Sequence, residues 1–256
     1  LLLGTICLIS WITVMAGFTE LEERFLQKHI ARSQEVVVDR LKNLLVEISD
    51  WSVWDDSYVF IDDKNEGFIK SNLTTIALGT LRLDVMIFVN KNGELVYTVY
   101  SKDFDPRRKE NLFLPPGLKE HLGTASIFLS HAHEKSSSTG IIFLPDGPML
   151  VASKPIVKSN GQGPVNGTIL FGKYIDAGEL QRFSDIVKVD LEIQMMANPS
   201  LPPDFCSAVA AFSHGAKTFM RPMNDDIING YSLLKDYTGK HNLILKVAMP
   251  REITQF

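Results

Sequence analysis

Cysteine is almost missing from this chain, with only Cys7 and Cys206 among 256 residues. One lies in an apolar leader and the other far downstream, which argues against a disulfide framework and leaves the redox compartment open. Paired C-x-x-C, H-E-x-x-H, G-x-S-x-G and G-x-x-x-x-G-K-[ST] are all absent, so structural zinc, zincin, hydrolase-elbow and P-loop chemistry lack their signatures. Excess positive charge is missing too. With 26 basic and 30 acidic residues the formal charge is −4, and no basic surface of the size nucleic acid needs is visible. The paired acids Asp55-Asp56 and Asp62-Asp63 are sequence neighbours, which point apart on a helix and suit a glycosidase pair poorly. The glycines of Gly161–Gly167 have the wrong spacing for a dinucleotide loop and sit between two strands. No constellation of catalytic residues emerges.

Residues 1–19 carry no charge, close to the ~20 apolar residues that cross a bilayer as a helix, and we expect an uncleaved transmembrane helix there. From Glu20 onward charges of both signs intersperse. Val37, Leu41, Leu44, Ile48 and Trp51 then recur in steps of four and three, with no proline or glycine between Phe18 and Trp54. That is a heptad-like seam on a long helix. Such a seam serves either a helix lying on its own domain or one pairing with its twin in a dimer.

The chain is organised around SDWSVWDDSYVF, Ser49 to Phe60. If the helix continues, Trp51, Trp54, Asp55 and Tyr58 fall at i, i+3, i+4 and i+7 on one face. The plain reading is an aromatic helix end pinned to a core; the functional one is a wall of a ligand pocket. There Asp55 would meet a cationic group and Lys154, on a facing strand, an anionic one.

Downstream, an apolar run from Asp84 to Val89, the Asn92-Gly93 step and a β-rich run to Tyr100 predict a hairpin. Residues 104–111 read as a charged loop and PPGLKEHL as a short helix. Strands are expected at 141–144, 149–157 and 165–174, and a helix capped by Asp176 at 176–187. A strand at 189–195, a proline-started helix at 203–212 and three strands near 218–223, 227–234 and 243–249 follow. The fold class is α+β: a long N-terminal transmembrane and signalling helix, then two antiparallel-sheet subdomains. His131-Ala-His133 reads as an exposed loop or, less simply, a two-imidazole metal site. Asn72-Leu-Thr74 and Asn166-Gly-Thr168 fit glycosylation acceptors.

Several blocks together carry a family resemblance: W-x-x-W-D-D-x-Y, LRLDVMIFVNKNGELVYTVY, PMLVASKPIVKSNGQGPVNGTILFGKYID and INGYSLLKDYTGKHNLILKVAMPREI. In this order, from about Val46 to Glu252, the chain resembles the CHASE group of extracellular sensory domains, fourth subtype. The resemblance implies a fold similar to the Cache and PAS sensors, with Trp51, Trp54, Asp55 and Tyr58 matching the helix motif. Asp84 and Gly93 match the first hairpin, and Ser153, Pro155 and Gly167 the later block. It implies a non-enzymatic input domain held outside the cytoplasm between two membrane helices, with a histidine kinase or a cyclic-di-GMP synthase or phosphodiesterase beyond the second. The organisation expected is a transmembrane helix (1–19), an emergent signalling helix (20–48), a membrane-distal sensory domain (49–175) and a smaller membrane-proximal part (176–256). The partners expected are a small-molecule ligand, the membrane and a second copy through the N-terminal helix; no cofactor is expected. The competing class is a membrane-tethered extracytoplasmic hydrolase using the carboxylates or the His131–His133 loop.

Overall fold

In the computed structural model, residues 2–102, 111–123, 126–131 and 133–251 are described, with the backbone alone for 2–4 and 6–16. The expected charged loop lies outside the described residues but for its last member. The chain divides into two compact units, Leu1–Val37 with Leu180–Phe256, and Val38–Glu179.

Helix α1 (Leu2–Ser52) contributes to both units. Its buried positions Leu26, Ile30, Ser33, Val37, Leu44 and Ile48 keep mostly to steps of three and four. The expected seam is therefore packed within its own chain. The expected span over residues 1–19 falls where side chains are largely undescribed; among the described residues, no helix is long and apolar enough to cross a membrane.

The second unit holds a five-stranded antiparallel sheet in the order β2-β1-β5-β4-β3. The strands are β1 (Val85–Asn90), β2 (Leu95–Tyr100), β3 (Ser138–Leu144), β4 (Gly147–Ile156) and β5 (Gly167–Tyr174). The β1–β2 hairpin turns as its sequence demands: Gly93 takes φ +82, open to glycine without strain, and Asn90 Oδ1 accepts from the Asn92 and Glu94 amides. Three short helices precede the sheet. These are α2 (Asp55–Asp63), α3 (Glu66–Asn72), capped by Asn65, and α4 (Thr75–Leu81), capped by Thr74. The α2 and α3 rings cover one sheet face, where Phe60 stacks on Phe68 at 4.7 Å and meets Phe88 and Tyr97 edge-on. The expected short helix near residue 118 is a four-residue 3-10 turn, Leu118–His121, entered through Gly117 at φ +79.

In the first unit, β6 (Asp190–Met195), β9 (Asn242–Pro250), β8 (Ile227–Lys235) and β7 (Thr218–Pro222) form a second antiparallel sheet in that order. Helix α5 (Ala177–Val187) leads into it, with Asp176 capping through the Glu179 amide at 2.8 Å. Helix α6 (Pro203–Ser213) starts on a proline whose missing N–H costs nothing at that position. It packs Phe205, Ala208 and Phe212 on Tyr231 and Ile244. On the opposite sheet face Gly230 meets α1 so closely that a Cβ would stand 2.6 Å from Ile30 Cδ1.

Candidate functional site

The tryptophan motif does not lie on one helix. Helix α1 ends at Ser52, Val53 forms a parallel bridge with Val157, and Trp54 is extended at φ −148, ψ 129 before α2 begins. The cause is tertiary, since the Val157 amide donates to Ser52 O at 2.8 Å and draws the chain into the edge of β4. This corrects the single-face geometry expected for Trp51, Trp54, Asp55 and Tyr58. The two tryptophans still meet, edge to face at 6.0 Å, with Trp51 also against Phe171 and Trp54 against Phe68.

The charged members of the expected pocket have partners within the chain. Ser159 Oγ accepts from the Asp55 amide at 2.9 Å, and Asp55 Oδ1 accepts from the Ser159 amide at 3.0 Å. That reciprocal pair staples the start of α2 to the loop after β4. Lys154 Nζ donates to Ser49 Oγ at 2.7 Å, joining β4 to the last turns of α1. Tyr58 lies under Lys158, whose Nζ is 5.5 Å from the ring centroid.

Two other features of the second unit remain unspent. The first is a row across the sheet. Register aligns Thr98, Ile87, Leu170, Ser153 and Ser138 as successive cross-strand partners, so all five point to one face. This is the face opposite Phe88, Tyr97 and Phe171, because neighbours along a strand alternate. Thr98, Ile87, Leu170 and Ser153 are fully buried, yet the Thr98 and Ser153 hydroxyls have no hydrogen-bond partner. A buried polar group left unpaired costs about 1–3 kcal/mol, so two in one row call for a reason.

Polar groups gather near both ends of the row. The Thr98 amide donates to Asn111 O at 2.7 Å, bringing in a residue whose side chain is buried. Ser138 Oγ donates to Ile127 O at 2.7 Å, tying the 126–131 segment to the β3 edge. In that segment burial pushes the His131 imidazole down to about 4. His131 is thus neutral at pH 7. His133 is exposed, and among the described residues no three His, Cys, Asp or Glu side chains gather as a metal site.

The second feature is an open cleft of about 490 Å³ between α2 and α3. Trp54, Val59 and Phe68 supply its apolar wall and Asp56, Asn65, Ser71 and Asn72 its polar groups. Of the residues expected to bind ligand, only Trp54 lines it. Asp56 was legible merely as half of an acidic pair, and Thr98 only as part of a strand. Their roles depend on where the helix breaks and how the strands register.

A long helix running into two antiparallel sheets is a fold shared with solved extracellular and periplasmic domains. The periplasmic domain of Vibrio cholerae LuxQ matches with a TM-score of 0.54 at 11% identity, over 88% of this chain and 99% of that one. The extracellular domain of the histidine kinase vpHK1S-Z8 matches at 0.56 and 12%, over 93% and 94%. The CHASE4 domain model matches residues 36–194. The chain belongs to the CHASE4 domain family, extracellular sensor domains of membrane receptors, and its role is sensory. It is 25% identical over 254 residues to the methanogenesis regulatory histidine kinase FilI of Methanothrix harundinacea (strain 6Ac). It spans 99% of its own length in that match and 27% of the kinase's.

Proposed function

We propose that the chain is the extracytoplasmic input domain of a membrane-anchored receptor, and that it reads a small molecule on the buried hydroxyl row of the second unit. The observation that carries this is the pair of unpartnered hydroxyls, Thr98 and Ser153, in a row whose middle members, Ile87 and Leu170, are apolar. The ligand class is an uncharged molecule with polar ends, taking hydrogen bonds from Ser153 and Thr98 and apolar contact from Ile87 and Leu170. With three strand spacings between them the two hydroxyls stand about 14 Å apart, which sets the length of a ligand engaging both.

The geometry offers a route out of the site. Ser153 faces the ligand row, and its neighbour Lys154 faces the other side and holds Ser49 of α1. Two residues past Pro155, Val157 holds Ser52. A ligand that binds one position of β4 better than another would shift the end of α1 with it. Switching needs a differential affinity of about 1–3 kcal/mol between the two states. Helix α1 would carry the displacement towards the membrane and a second copy of the chain. The output would be a histidine kinase, as in the FilI relative, or a cyclic-di-GMP enzyme.

The test is a thermal-shift screen of the full chain against amino acids, organic acids, polyamines and neutral metabolites. A ligand at a hundred times its dissociation constant adds about 2.7 kcal/mol and raises the melting temperature visibly. The expected hit is uncharged and is lost in Thr98→Val/Ser153→Ala while Trp54→Phe keeps it. A hit that survives the double substitution would sink this placement of the site.

A further inference from the structure

We propose a second binding site in the α2–α3 cleft, for an organic cation such as an alkylammonium. It goes beyond the sensory reading of the hydroxyl row and rests on none of its residues. The cleft combines a half-buried indole, Trp54, with a buried phenyl, Phe68, whose ring centroids are 5.3 Å apart. Aromatic faces attract cations through their quadrupole, and tryptophan does so best. Asp56 lines the same cleft, exposed and one residue along from the stapled Asp55. The structure thus divides the two aspartates: Asp55 is held by Ser159, and Asp56 is presented to the cleft.

The surrounding charge favours the same ligand sign. Between Asp55 and Lys70 five carboxylates face two lysines, and Lys70 is paired with Glu66 at 3.1 Å. Among the described residues, no Lys or Arg lines the cleft. A divalent metal fits poorly, because a single carboxylate among aromatic walls cannot supply the six or more oxygens that calcium requires. An ammonium with apolar substituents uses both the rings and the carboxylate. The Asn72 carboxamide oxygen and the Ser71 hydroxyl can accept from any N–H it carries, whereas Asn65 Oδ1 caps α3 through the Phe68 amide.

The experiment titrates the full chain with tetramethylammonium chloride and with cadaverine, followed by tryptophan emission and calorimetry, using sodium chloride at matched ionic strength as control. We expect a saturable change across the millimolar range that sodium does not reproduce. Asp56→Asn should weaken it by about tenfold and Trp54→Phe by about threefold, each with an unchanged melting temperature. Asp55→Asn and Thr98→Val/Ser153→Ala should leave it intact, which separates this site from the hydroxyl row. Absence of saturation, or equal affinity in Asp56→Asn and Trp54→Phe, would overturn the proposal.

Discussion

The two units are each built on an antiparallel sheet, but they treat the polar groups on it differently. In the first unit the α6 face carries charge, and the charge is answered. Asp204 accepts from Tyr231 Oη at 2.8 Å and pairs with Lys246 at 3.0 Å, and Lys246 reaches Glu192 at 3.2 Å while lying over Phe205. Asn229 Oδ1 stays unpaired beside this network, and elsewhere in the unit Ser232 Oγ and Asn242 Oδ1 are unpaired as well. In the second unit the face away from α2 and α3 carries no charge on its central row, and two of its three hydroxyls, those of Thr98 and Ser153, are unanswered. A satisfied polar network holds one conformation, whereas unsatisfied groups gain from a ligand that completes them. The contrast between an ion-paired network and an unpaired hydroxyl row is what supports the proposed reception at the second sheet.

The strongest way to break that comparison is to hollow out each core separately. Phe60→Ala removes a fully buried ring stacked on Phe68, and Phe205→Ala one against Tyr231 at 5.5 Å. Each should cost about 3–5 kcal/mol. Calorimetry should resolve two components, the first substitution lowering one and the second the other. A single transition lowered alike by both would mean that the units are not separate cooperative bodies.

A smaller effect probes the polar contrast. Lys246→Met leaves the Asp204 carboxylate without its cation in a largely buried setting. Breaking such a pair costs about 3–5 kcal/mol when fully buried. Partial exposure of Lys246 and Glu192 reduces the expectation to about 1–3 kcal/mol by urea denaturation. Ser153→Ala, which deletes an unpaired hydroxyl, should be neutral or slightly stabilising. A destabilisation equal to that of Lys246→Met would show that Ser153 is already satisfied.

Acid separates the units by pH window. His131 has its folded pKa depressed from 6.5 to about 4 by burial, so the unfolded chain binds the extra proton first. Its contribution is fully present above about pH 6.5 and is lost as pH falls towards 4, by on the order of 1–2 kcal/mol after allowance for partial exposure. His29, in the first unit, is lowered in the same sense by burial and by Arg32 and Lys28. Burial would raise Asp204, but the hydrogen bonds from Lys246 and Tyr231 outweigh it, and the pKa ends below its usual 3.8. That stability is present above the usual carboxylate range and is lost only in stronger acid. Melting temperatures between pH 7 and 4 should therefore flatten in His131→Gln, and a curve unchanged by that substitution would show that burial does not depress the His131 imidazole.

Much of this fold was legible because its signals are local. Asn92-Gly93 announces the first hairpin, Asp176 the cap of α5, and Pro203 the start of α6. The long α1 follows from an unbroken helical pattern. What was not legible is set at long range. No residue near Ser52 breaks a helix; the break comes from Val157, far along the chain. The row joining Thr98 to Ser153 exists only once four strands are in register, and a slip of one residue would turn those side chains to the other face. The Asp55-Asp56 pair reads as one acidic motif until Ser159 takes one of the two.

That last contact gives the smallest and most local test. Trp54 provides no side-chain cap for α2, and Ser159 Oγ accepts from the Asp55 amide in its place. Ser159→Ala should cost about 0.5–1 kcal/mol, the range of a lost helix cap at an exposed site. Ser159→Thr keeps the acceptor and should recover most of it. The result bears on the proposed route through β4, because the staple fixes α2 to the loop that leaves that strand. Hydrogen exchange should then rise at the amides of Asp55 and Ser159 and remain unchanged at β8 and β9. Exchange rising equally in both sheets would mean that the staple supports the whole chain, and the division between a receiving sheet and a structural one would fail at its smallest joint.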